Sequence, residues 1–130
     1  MNHLISTLLL LIFSSGIQAA ELAKPTQTLN ETDITYNYTS GRSYNVRFTA
    51  AGVSYRYLSG SKPKKWWGPF PYQAFEIESN VYFASWFEKD YGDYVTLLIN
   101  FNNNLLYGSA ILSAEKVHFH GAKIIRVTRR

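Results

Sequence analysis

The chain has 130 residues, with 13 Lys and Arg against 9 Asp and Glu, a net charge of +4, and no cysteine. That length fits one small domain with a single core. The absence of cysteine excludes disulfides, thiolate metal sites and cysteine nucleophiles, and the scattered charge argues against nucleic-acid binding, which needs a clustered basic face.

Residues 4–13 form an apolar run too short to span a bilayer as a stable helix, and Ser14-Ser15-Gly16 breaks it. Ala19 and Ala20 then offer small residues for cleavage before the polar Glu21. This pattern predicts a signal peptide over residues 1–19 and an exported protein, periplasmic or secreted, with no stable membrane association after cleavage. An uncleaved anchor is the rival, disfavoured by the short run and its lack of a basic flank. Residues 20–32 are polar with one proline and read as a tether, leaving a domain over 33–130.

From residue 33 the chain alternates short strand-like runs with turn signals. Runs at 34–38, 43–49 and 53–58 look like a meander of hairpins. In 59–71, Gly60, Pro63, Gly68, Pro69 and Pro71 argue against a continuous strand, with Lys62, Lys64, Lys65, Trp66 and Trp67 crowded between them. This stretch reads either as a cationic, aromatic lid or as a barrel-closing plug with solvated lysines. Strands resume at 72–78, 81–88, 94–101 and 105–112, followed by runs at 117–120 and 123–127. No sustained helical period is present. About eight strands at this spacing predict an all-β fold, a small antiparallel β-barrel or sandwich, with the barrel preferred. The 10 tyrosines and 3 tryptophans favour a lined cavity over a solid aliphatic core.

The run at 81–88 is the most informative. Strand parity puts Tyr82, Ala84, Trp86 and Glu88 in one row and Val81, Phe83, Ser85 and Phe87 in the other, and both rows are largely apolar. A carboxylate ending such a row must face solvent, pair with a cation, or sit in a cavity with a raised pKa. The polar turn at 89–93 keeps a solvated rim position, beside Lys89, open. Tyr36 and Tyr38 share a face and can hydrogen-bond an anionic oxygen, or they can simply line the core. Arg56 faces away from Tyr55 and Tyr57, and parity alone does not say which side is the lumen. His118 and His120 also share a face, but only Glu115, or His3 in the leader, could complete a three-ligand set, so no metal is expected there; no other cofactor is expected.

The segment Tyr36-Asn37-Tyr38-Thr39-Ser40-Gly41-Arg42-Ser43-Tyr44 resembles the Tyr-x-Tyr-x-x-Gly-x-x-Tyr hairpin of the phenolic acid decarboxylases. Tyr55-Arg56, followed by Lys65-Trp66, resembles that family's Tyr-Arg and Arg-Trp pairs. Val81-Tyr82, Ser85-Trp86 and Glu88 resemble its Val-Tyr-x-x-Ser-Trp-x-Glu strand, and Gly108 fits its glycine after the next hairpin. The stretch 72–101 also resembles the MoaF-like group, named for molybdenum cofactor biosynthesis protein F, which shares a lipocalin-like barrel. The resemblance implies that Tyr36 and Tyr38 donate to a substrate carboxylate or phenol and that Glu88 is the catalytic acid. It groups Tyr36, Tyr38, Tyr44, Lys65, Trp66, Trp86 and Glu88 as ligand-binding. The family's arginine is Lys65 here, which keeps the charge but not the two-pronged grip on a carboxylate, and the family members compared are cytoplasmic.

Two readings follow. The first is an exported MoaF-like barrel that binds a small aromatic or anionic ligand. The second is a cofactor-free hydroxycinnamic acid decarboxylase using Glu88, Tyr36 and Tyr38. The lysine at 65 and the export signal favour binding. A small molecule is the expected partner, and the oligomeric state is left open.

Overall fold

The computed structural model describes residues 20–60 and 62–130; the leader predicted over 1–19 lies outside the described residues. Nine strands run in chain order: β1 (Thr32–Tyr38), β2 (Ser43–Thr49), β3 (Gly52–Tyr57), β4 (Trp66–Phe70), β5 (Tyr72–Glu78), β6 (Val81–Glu88), β7 (Asp93–Asn100), β8 (Leu105–Leu112) and β9 (Lys116–Arg129). They form one antiparallel sheet in the order β4-β3-β2-β1-β9-β8-β7-β6-β5. Two meanders, β1–β4 and β5–β9, are thus joined where β9 pairs with β1. The edge strand β4 comes back against β6, so the sheet is nearly closed into a barrel.

The strand count differs from the expectation at two places. Residues 66–70 form β4 despite Gly68 and Pro69. These two residues fall where the pairing with β3 shifts register, between Val53↔Phe70 and Tyr55↔Trp67. A proline is tolerated at such an irregularity on an edge strand, where no ladder bond is lost. The runs at 117–120 and 123–127 are one strand, because Gly121 and Ala122 continue the ladder opposite Tyr107 and Leu106. The first half of β9 pairs with β8 and the second half with β1, so this strand joins the two meanders.

Alternation along the strands sends one row inward. Ile34, Val46, Phe48, Val53, Leu97, Ile99 and Leu106 fill part of the interior. The segment expected to be a tether is part of this packing. The Thr26 amide donates to the Ala74 carbonyl at 2.9 Å, Pro25 bridges Phe75, and Leu29 is 0% exposed within the core. Thr28 and Tyr82 share a hydroxyl hydrogen bond of 3.0 Å, and the Tyr72 hydroxyl donates to Asn30 Oδ1. Hydrophobic burial of Leu29 therefore ties the segment down against the aliphatic part of the core. The inward residues nearer Glu88 are mostly tyrosines.

Candidate functional site

Beyond the aliphatic packing lies a cavity of about 70 Å³. Its walls come from strands distant in sequence: Tyr36 and Tyr38 of β1, Tyr44 of β2, Tyr55 and Tyr57 of β3, and Trp86 and Glu88 of β6. Asp93 and His118, from the start of β7 and from β9, also line it, and Arg42 reaches it from the β1–β2 turn. Arg42 and Tyr57 also line an adjoining recess of about 510 Å³, together with Lys62 and Trp67.

Glu88 is at the centre of the polar geometry. It is 1% exposed. Its Oε1 accepts from the Tyr55 hydroxyl at 2.6 Å and its Oε2 from the Trp86 indole N–H at 3.2 Å. Burial pushes its carboxyl above the ordinary range; the Tyr55 and Trp86 hydrogen bonds pull it partly back, and the Asp93 charge pushes the same way as burial. Both oxygens are thus satisfied, and the carboxyl's proton exchange moves toward neutral pH.

The tyrosines hold their protons. Burial carries Tyr36 well above its ordinary value, reinforced by Tyr38, and carries Tyr38 up to about 12 against the opposing hydrogen bond from Tyr36. Tyr55 is raised strongly by burial and then by its bond to Glu88. Tyr36 and Tyr38 meet edge to face at 5.2 Å between ring centroids, while Tyr36 and Tyr44 stack at 5.7 Å. Burial, followed by the charges of His120, Arg42 and Lys116, lowers the pKa of His118, so it is neutral at ordinary pH. The set offers phenol donors, the buried carboxyl of Glu88 with a second carboxyl at Asp93, and a cation at Arg42.

Five of the seven residues grouped from sequence, Tyr36, Tyr38, Tyr44, Trp86 and Glu88, share this one cavity. Lys65 and Trp66 do not line it. Trp66 pairs with Arg56 on the outer face and lies between two guanidinium groups, at 4.5 Å from Arg47 and 4.8 Å from Arg56. Lys65 is exposed, with its Nζ 3.9 Å from the centroid of the Trp67 ring. Sequence reasoning missed Tyr55, the direct partner of Glu88, along with Arg42, Asp93 and His118. A signal for Tyr55 was present: a solvent-facing Arg56 puts Tyr55 and Tyr57 inside. The two histidines face each other at 4.3 Å between ring centroids, and among the described residues no three His, Asp or Glu side chains gather as a metal set.

Gly108 has a packing reason. A Cβ built there collides with the Tyr38 hydroxyl, so the absence of a side chain on β8 lets Tyr38 lie across that strand.

The fold and this lining define a small antiparallel barrel with a tyrosine-walled cavity around a buried carboxyl. The chain belongs to the MoaF family, whose N-terminal domain profile matches residues 11–113. Among solved structures it is similar to a crystal structure from Burkholderia vietnamiensis provisionally named a beta-lactamase. Identity is 14%, the TM-score is 0.67, and the match covers 77% of this chain and 95% of that one. At that identity the likeness shows a common fold alone. No curated protein matches the chain.

Proposed function

We propose that this MoaF-family barrel is an exported binding protein for a small aromatic compound carrying an acidic or phenolic group. The observation that carries the reading is the convergence of Glu88, Tyr55, Trp86, Tyr36 and Tyr38 on one cavity. Stacked and edge-on rings supply walls for an aromatic body. Arg42 supplies the cationic partner for an acidic group, a role the sequence reading had given to Lys65. Close to Glu88 the cavity suits a hydroxyl or a neutral acid, because an anion there would oppose the carboxylate unless Glu88 is protonated. A ligand larger than the cavity would extend into the recess that shares Arg42 and Tyr57. Export rests on the leader pattern of residues 1–19 and is tested by N-terminal sequencing of protein from the native host.

The raised pKa of Glu88 also favours a second reading, hydroxycinnamic acid decarboxylation. In that reaction protonated Glu88 would deliver its proton to the alkene carbon bearing the carboxylate. The phenol would pass its proton to solvent as the ring becomes a quinone methide. The bond to the carboxylate would then break, its electrons forming the vinyl double bond while the quinone methide's electrons return to the ring and its oxygen. That oxygen would regain a proton from solvent, carbon dioxide and the vinylphenol would leave, and Glu88 would be reprotonated from solvent.

One titration separates the readings. Addition of p-coumarate or ferulate should quench Trp86 fluorescence saturably, and carbon dioxide release is followed in the same samples. Saturable binding without gas supports the binding protein, and turnover abolished by Glu88→Gln supports the enzyme. Neither binding nor turnover removes hydroxycinnamates from both readings.

A further inference from the structure

The outer face of β5–β9 is unusually apolar, and its register shows it to be one surface. Phe75, Phe83, Leu98 and Tyr107 stand side by side across β5, β6, β7 and β8. Phe87, Tyr94, Ile111 and Val117 form a parallel row across β6 to β9. Between the two rows run Ser85, Thr96, Ser109 and Phe119. None of these three rows contains a charged side chain. Phe119 is 78% exposed and Val117 72%. Taking about 200 Å² for a whole aromatic side chain, the exposed parts of the large residues on these rows come to roughly 800 Å². That exceeds the patch of about 300–600 Å² usual on a monomer and equals the area of about 800 Å² that each partner buries in a standard interface.

We infer that this face is an isologous contact between two copies of the chain. Charge placement favours a second copy as the occupant. The outward cations Arg47, Arg56 and Arg126 gather around a different recess, on β2, β3 and the second half of β9. Two chains of net charge +4 joined through this face of β5–β8 and the first half of β9 would keep those cations apart and bring an uncharged surface against its own copy. An acidic partner would be drawn to the arginines instead. The contact leaves the cavity mouth at Arg42 and Tyr57 outside the three rows.

Sedimentation velocity on the purified protein tests this, with intact mass recording which N-terminus it carries. The expected species is a dimer at micromolar concentration. Phe119→Lys combined with Val117→Lys should weaken it at least about thirtyfold, the loss expected when the two most exposed apolar anchors of the face are replaced by charges. At concentrations low enough for both proteins to be monomeric the thermal midpoints should coincide, because both side chains are exposed in the single chain. Arg126→Ser should leave the association intact. The inference is overturned by a protein that stays monomeric to about 100 µM, above the range expected for an interface of this area. It is equally overturned by a dimer that survives the double substitution, or by a monomer that cosediments with phosphatidylcholine–phosphatidylglycerol vesicles through Phe119.

Discussion

The Tyr55 hydroxyl donates to Glu88 Oε1 at 2.6 Å, joining β3 to β6 across 33 positions of sequence. This bond satisfies one oxygen of a fully buried carboxyl and opposes the upward push of burial on its pKa. Tyr55→Phe should therefore raise the Glu88 pKa further. It should also destabilise the fold by about 1–3 kcal/mol, the usual loss when a buried charged group loses a partner. Carbon-13 titration of the carboxyl and urea denaturation read the two effects separately.

Glu88 also gives folding a pH dependence with a defined sign. Its folded pKa lies above its unfolded value, so the folded state holds the proton more tightly. The stabilisation is complete below the unfolded pKa and is lost as pH rises through the folded one. Stability should thus fall on going upward from about pH 4.5, near the ordinary glutamate value. Glu88→Gln should remove this component of the slope. Thermal midpoints of both proteins across the acidic-to-neutral range supply the comparison.

Gly108→Ala should force Tyr38 from its place across β8. Overpacking of this kind costs about 1–3 kcal/mol. Because the collision is with the Tyr38 hydroxyl, Tyr38→Phe in the same chain should recover part of the loss. The coupling appears as a non-additive pair in a double-mutant cycle.

Leu29→Ala should be costly for a residue outside every strand. It leaves a cavity in the core, at about 2–5 kcal/mol. Glu88 should still titrate as before, since Leu29 packs in the aliphatic core and does not line the cavity. Denaturation midpoints together with the carboxyl titration check both halves of this expectation.

Much of the fold was legible because strand period and turn residues are local. The runs at 43–49, 72–78, 81–88 and 105–112 match β2, β5, β6 and β8 in their bounds. Strand β4 was hidden because the irregular register that accommodates Gly68 and Pro69 depends on its partner β3. Leu29 was hidden because one apolar residue in a polar stretch has no period; only the closure of the barrel gives it a place. Within the site, parity showed that Trp86 and Glu88 share a face, as do Tyr36 and Tyr38. It set Tyr55 and Tyr57 opposite Arg56 without saying which row faces the lumen, because an arginine can also point into a pocket toward an anion. Lys65 and Trp66 were grouped with the site by motif resemblance, and the pairing of Trp66 with Arg56 turns that residue outward.

The central claim, that the cavity around Glu88 holds a small aromatic molecule, is tested most directly by native mass spectrometry. Protein purified from its own host would be examined, with the released ligand fragmented for identification. The account predicts one small aromatic acid or phenol per barrel, lost on Glu88→Gln combined with Tyr38→Phe while the folded charge-state distribution is kept. A barrel that carries no ligand from the host, and binds none from a panel of phenols and aromatic acids, would contradict it.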